Sequence, residues 1–208
     1  EGKKIVMLEP RKLAAISIAQ RMAQLLGEPV GERIGYRVRF DTCVGKQTRI
    51  EVITEGILTR MMQQDNALEE VGLIIFDEFH ERSIHADLGL AISREIQQVL
   101  RPDLKLLIMS ATLDSKDLSK NLQAPMVESM GKAFPVSIKY GEGNDLFTLP
   151  ESISLTIKKA IADHDGDLLV FLPGQREINK TAEILSLRFP QLAIYKLYGQ
   201  LAFSQQRA

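Results

Sequence analysis

Short apolar runs alternate with segments of helical period along most of the chain. Residues 4–8, 34–40, 49–54, 71–76 and 104–109 are rich in Ile, Val, Leu and Phe and are bounded by polar or turn residues. Between the first two runs, Ala15, Ile18, Ala19, Met22, Leu25 and Leu26 recur on one helical face, Pro10 suits a first helical turn, and Gly27 and Pro29 end the segment. Further helices are expected over 57–64, 87–100 and 115–122. Strands buried on both faces and joined by crossover helices give this alternation, so the class is α/β with parallel sheet.

The rhythm breaks over residues 123–150, which hold three prolines, three glycines and one strand-like run, 136–140. A boundary near Gly131 follows, with one unit at 1–130 and another at 131–208. Beyond the boundary, 151–162 and 176–189 read as helices and 168–172 and 193–197 as strands, a second βα alternation in which Phe171 reads as a core residue. The chain opens on Glu1 rather than Met and stops where a helix is expected to begin. The expectation is that both units are incomplete parts of a longer protein.

Composition is ordinary for a globular protein, with 45% hydrophobic and 25% charged residues. One cysteine, Cys43, excludes an internal disulfide, and three histidines with no second thiol exclude a Cys/His zinc module. A reducing, cytoplasmic setting and no membrane partner are expected, since the longest apolar stretches are strand-length and no signal peptide opens the chain. The formal charge of -1 conceals an uneven distribution. Residues 1–64 hold 11 basic and 7 acidic side chains (+4), 65–100 hold 2 and 8 (-6), and 101–208 hold 13 and 12 (+1), which together give -1.

The negative stretch contains the sharpest chemical feature. The run Gly72-Leu-Ile-Ile-Phe76 is followed at once by Asp77-Glu78-Phe79-His80. Ligand chemistry in open parallel sheets gathers at the carboxyl ends of strands. Two adjacent acids there are costly to bury, and a bound cation explains them. In phosphoryl-transfer ATPases an acid in this place helps to hold Mg²⁺ and a neighbouring group positions the attacking water. The plainer alternative is an Asp77 that caps a helix beside a solvated Glu78. Ser110-Ala-Thr112 ends the 104–109 strand in the same way. Alone it reads as a cap before Asp114; beside the acids its hydroxyls can report the state of the site.

These residues resemble motifs II and III of the DEAH/DExH-box helicases of superfamily 2. The Phe in third place of the acid box, with Glu81-Arg82-Ser83 and His85-Ala-Asp87-Leu after it, is most similar to the HrpB-like branch of bacterial ATP-dependent helicases. The resemblance covers nearly the whole chain. Leu8-Glu-Pro-Arg11-Lys12-Leu-Ala-Ala15 resembles motif Ia and Thr54-Glu-Gly56 motif Ib. Leu169-Val-Phe-Leu-Pro-Gly174 with Glu177-Ile178 resembles motif IV, and Leu197-Tyr-Gly199 through Gln206 the segment after it.

The resemblance implies two RecA-like parallel-sheet lobes, both truncated, of an enzyme that uses ATP and Mg²⁺ on single-stranded or partly duplex RNA, with DNA possible. It implies that Asp77 helps to hold the Mg²⁺ through water, with Glu78 beside it orienting and activating the hydrolytic water. His80, Ser110 and Thr112 would couple the nucleotide to strand movement. Arg11, Lys12, Thr54 and Gly56 would meet the nucleic-acid backbone, as would Gly174 and Gly199 in the second unit, and Arg21 would stack on adenine. Lys12 stands where the family more usually has a second arginine, and lysine cannot reproduce a planar bidentate fork. Considered singly, Arg11 reads as solvated and Arg21 as the polar face of an amphipathic helix.

A phosphate-cradling G-x-x-x-x-G-K-[ST] loop is required, and the sequence has none: Gly2-Lys3, Gly45-Lys46 and Gly131-Lys132 lack both the following hydroxyl and the upstream glycine. The chain by itself is therefore expected neither to bind ATP tightly nor to hydrolyse it. Two other classes compete. His80-Glu81 begins like a zinc-protease H-E-x-x-H, but His85 comes five residues on, about 140° around a helix from His80. A non-catalytic nucleic-acid-binding or scaffold module would equally lack the phosphate loop.

Overall fold

The computed structural model describes residues 2–111, 115–129, 131, 134–141, 148–199 and 201, with the side chains of Ser115 and Lys116 excepted. The chain divides into two compact units, Glu1–Met130 and Gly131–Ala208.

In the first unit β1 (Lys4–Glu9) leads into α1 (Lys12–Leu25), then β2 (Ile34–Val38), β3 (Asp41–Cys43), β4 (Ile50–Thr54) and α2 (Glu55–Gln64). There follow β5 (Val71–Phe76), a 3₁₀ turn (Phe79–Glu81), α3 (Ile84–Val99), β6 (Lys105–Ile108) and α4 (Ser115–Leu122). The strands form one sheet in the order β3-β2-β4-β1-β5-β6, parallel throughout except for the β2–β3 hairpin at one edge.

Adjacent residues of β4 show how the sheet is buried. Val52 lies in a core with Ala15, Ile16 and Ala19 of α1 and Ile34, Tyr36 and Val38 of β2. Ile53 lies in a second core with Val6, Leu8, Ile74 and Phe76 of the sheet, Leu58 and Met62 of α2, and Leu90 and Ile96 of α3. Side chains alternate across a strand, so these are opposite faces, and helices cover both. Complete burial of each of the Val, Leu and Ile side chains contributes about 1.5–3 kcal/mol.

The structure departs locally from the sequence expectations. The 34–40 run is divided by a tight turn at Arg39-Phe40, where Phe40 has φ 64°, and the polar segment Asp41–Cys43 returns antiparallel to β2. Helix α1 begins at Lys12, with Arg11 as its extended cap, so Pro10 precedes the helix instead of occupying its first turn. Helix α3 begins at Ile84, three residues before the expected Asp87, because the Ser83 hydroxyl accepts a hydrogen bond from the Ala86 N–H at 3.0 Å and caps it.

In the second unit α5 (Leu149–Asp163) and α6 (Gln175–Arg188) pack on each other and bury Ser154, Ile157, Thr181 and Leu185. Arg188 joins them, donating to Ser154 Oγ at 2.9 Å and to Glu151 at 2.6 Å. The strands expected at 136–140, 168–172 and 193–197 are not strands among the described residues. An apolar run records a preference for burial, whereas a strand also needs ladder partners. Phe171, expected in a core, is 86% exposed. Among the described residues, no helix is long and apolar enough to cross a membrane.

Candidate functional site

Four parallel strands bring polar residues to their carboxyl ends: Glu9 on β1, Thr54 on β4, Asp77 after β5, and Ser110 after β6. Glu9 and Thr54 are paired in register. The ladder continues past the end of β5, since the Asp77 N–H donates to the Leu8 carbonyl at 3.1 Å and the Met109 N–H to that of Phe76 at 2.8 Å. Asp77 is thereby fixed between the ends of β1 and β6.

The acid box then turns sharply. Glu78 is left-handed (φ 49°, ψ 34°), its N–H donates to Asp77 Oδ1 at 2.8 Å, and its side chain is 46% exposed. Phe79 is buried edge-on against Phe76, with ring centroids 6.2 Å apart, and its N–H donates to the Met109 carbonyl at 3.0 Å. His80 Nδ1 lies 3.3 Å from Glu78 Oε2 and 3.4 Å from the Ala111 nitrogen. One ring nitrogen serves only one of these at a time: carrying a proton it donates to Glu78, and bare it accepts from the Ala111 N–H. His80 thus stands between the acid box and the 110–112 segment. Ser110 is exposed at the end of β6. Thr112 lies outside the described residues, as do Asp114 and Gln206.

Glu9 is the residue that sequence reasoning missed. It is 2% exposed, and its Oε1 has no hydrogen-bond partner among the described residues. Burial, a hydrogen bond with the Asp77 side chain, and the charges of Asp77, Glu78 and Glu81 push its carboxyl up to about 8. Two carboxyl groups bond only when one carries a proton, and the buried Glu9 is the one that keeps it. The Asp77 carboxylate accepts from the Glu78 N–H and lies beside the buried Glu9 carboxyl. A glutamate ending the apolar run Ile5–Leu8, beside the acid box in register, was the available signal.

Among the described residues no three His, Cys, Asp or Glu side chains converge as a metal cage. A single oriented carboxylate with an unpartnered buried acid oxygen beside it suits a hydrated Mg²⁺, which retains most of its waters and takes one or two carboxylates. His80 sits in the 3₁₀ turn and His85 in α3, with Arg82 at φ 44° between them, so the two do not share one helix.

The other candidates occupy separate places. Arg11 caps α1 and donates to Glu81 Oε1 at 3.0 Å, while Lys12 donates to the Arg39 carbonyl at 3.3 Å. Thr54 is the N-cap of α2 without using its side chain, and a Cβ on Gly56 would meet nothing within 4 Å. Arg21 bonds Gln24 at 3.1 Å and lies about 13 Å along α1 from Lys12, toward the amino ends of the strands, so the fold does not bring it beside Asp77. Gly174 is the N-cap of α6 with an extended backbone, and Gly199 lies in a turn, both in the second unit.

Residues 1–120 match the family model described as DEAD/DEAH box helicase. The chain belongs to this family. It is 48% identical over 206 residues to the ATP-dependent RNA helicase HrpB of Escherichia coli K12, covering 98% of this chain and 26% of that protein. It is 37% identical over 205 residues to HrpA of the same organism, covering 95% of this chain and 16% of that protein. Two crystal structures of E. coli HrpB, described as a DExH-box NTPase and a DEAH/RHA helicase, superpose with TM-scores of 0.79 and 0.85 at 46% identity. They cover 99% of this chain, which spans 26% and 27% of theirs. The six-stranded sheet is the RecA-like helicase fold, and the chain spans about a quarter of the length of HrpB.

Proposed function

We propose that this chain is the acid-box segment of an ATP-dependent helicase that acts on RNA in the cytoplasm and couples hydrolysis to movement along one strand. The observation that carries the reading is Asp77, fixed at the end of β5 by its N–H on the Leu8 carbonyl and by the Glu78 N–H on its Oδ1, with Glu78 exposed beside it. Residues 1–130 are the helicase ATP-binding lobe and 131–208 begin the second RecA-like lobe.

Asp77 would help to hold the magnesium of a bound ATP, an ion that would supply positive charge at the phosphates. Glu78, beside it, orients the attacking water and accepts its proton. His80, exchanging its single Nδ1 contact between Glu78 and the Ala111 N–H, links this chemistry to Ser110 and Thr112. Arg11, Lys12, Thr54, Gly56, Gly174 and Gly199 meet the strand backbone. Neither conformation nor packing requires glycine at 56, and the open surface there leaves room for a sugar–phosphate chain. Backbone contacts carry little base information, so sequence preference is weak. RNA as substrate is supported by the names of the relatives HrpB and HrpA.

The test is strand-stimulated ATPase of the whole protein that contains this segment, with and without Glu78→Gln. Loss of at least about a hundredfold in turnover is expected for removal of a general base. Unchanged turnover overturns the assignment.

A further inference from the structure

The residues just after the acid box are tied to both segments proposed to meet the strand. Arg11, the cap of α1, donates to Glu81 Oε1 at 3.0 Å. Glu55, between Thr54 and Gly56, accepts a short hydrogen bond from the Ser83 hydroxyl. The same hydroxyl caps α3 through the Ala86 N–H, so Ser83 joins the 54–56 loop to α3. Asp77 is separated from Glu81 by three residues and from Ser83 by five, with the turn Phe79–Glu81 between.

That turn is bracketed by two non-glycine residues with positive φ, Glu78 at 49° and Arg82 at 44°. Such backbone is costly for L-residues and persists only where its surroundings impose it. Phe79 is pinned by Phe76 and the Met109 carbonyl, and Arg82 is held by Asp87 at 2.9 Å and lies over the Phe79 ring. Glu81 differs: its partner Arg11 is 73% exposed, and an exposed pair contributes little to stability. A phosphate competing for that guanidinium would draw it from Glu81, because an arginine fork favours phosphate strongly.

We propose that Glu81 and Ser83 are positioning residues that transmit strand binding to the acid box. In the free protein Glu81 holds Arg11 and Ser83 holds Glu55. A bound strand takes Arg11, the turn relaxes at Glu81, and the change reaches His80 and Glu78 at its other end. Ser83 keeps the 54–56 loop in step with α3 during the exchange. The inference rests on the functional reading above, and the test separates the two.

The experiment measures ATPase of the whole protein against oligouridylate concentration for the parent, Glu81→Gln, Ser83→Ala and Ser83→Thr. Hydrolysis without strand should rise about fivefold or more in Glu81→Gln, which lacks the tie that a bound strand breaks, and stay within about twofold in the Ser83 variants, with apparent strand affinity within about threefold throughout. Maximal stimulation should fall about fivefold or more in Glu81→Gln and Ser83→Ala, within the range of mutations that break site-to-site coupling. Ser83→Thr, which keeps the hydroxyl, should restore it. Glu81 is at the surface, so Glu81→Gln carries the test by itself should Ser83→Ala unfold. Full stimulation of Glu81→Gln at saturating strand overturns the proposal. A parent protein that hydrolyses ATP without response to any strand overturns the functional reading, and this proposal with it.

Discussion

Glu9, 2% exposed at the end of β1, sits beside Asp77 at the end of the neighbouring parallel strand, and burial together with Asp77 favours the protonated Glu9 carboxyl. The Glu9 carboxyl is raised in the folded protein from 4.5 to about 8. Its contribution to stability is fully present below about pH 4.5 and is lost as pH rises toward about 8. Glu9→Gln, which keeps the shape and a donor but has no proton to lose, should flatten that decline. Thermal melts at acidic, neutral and mildly alkaline pH check this: as pH rises, the difference between the two proteins should grow in favour of the Glu9→Gln variant. A constant difference would show that the pair does not titrate in this window.

Arg101 organises the entry to β5. It is 9% exposed and donates to the carbonyls of Ala67, Leu68 and Val71 at 3.1, 2.7 and 3.0 Å, and with both ends of its fork to Asp103. Lysine offers no fork and would leave at least one buried carbonyl unpartnered. Arg101→Lys should therefore destabilise the first unit by about 2–3 kcal/mol, read from urea unfolding.

Gly35 lies where β2 passes beneath the segment after β3. An added Cβ would collide with the Cys43 carbonyl oxygen and stand 2.8 Å from Val44 Cγ1. The backbone oxygen cannot move without opening the hairpin. Gly35→Ala should cost about 2 kcal/mol, whereas Gly56→Ala, with open space around it, should change stability by under about 1 kcal/mol. Paired denaturation curves separate the two.

Arg11→Ala should weaken binding of the whole protein to a strand and reduce the slope of log affinity against log salt by about 1, the signature of one lost phosphate contact. Because its pair with Glu81 is exposed, the melting temperature should barely move. An unchanged salt slope would remove Arg11 from the strand contacts.

The parts of the molecule legible in its sequence are those in which side-chain preference and backbone geometry agree. The apolar runs of β1, β4 and β5 lie inside the sheet, β6 closes its edge with Leu107 exposed, and Asp77 follows β5 without a gap. Edge strand β3, Asp-Thr-Cys, has no apolar signal and exists because the turn at Phe40 returns it to β2. Glu9 escaped notice because glutamate is ordinarily solvated, and only its register beside Asp77 explains its burial. The positive-φ residues Glu78 and Arg82 carry no glycine to announce them. In the second unit, 168–172 has the composition of a strand but no ladder among the described residues.

The alternation of Val52 and Ile53 has a consequence for how this segment can vary. Each serves a different core, so deleting or inserting one residue within β4 would exchange their faces and strip both cores at once. The same slip would carry Glu51 away from Arg37 and Lys4, its partners at 2.6 and 3.2 Å. Length changes in this strand are tolerated only in steps of two, so natural insertions and deletions should fall in the loops on either side and leave the strand's parity untouched.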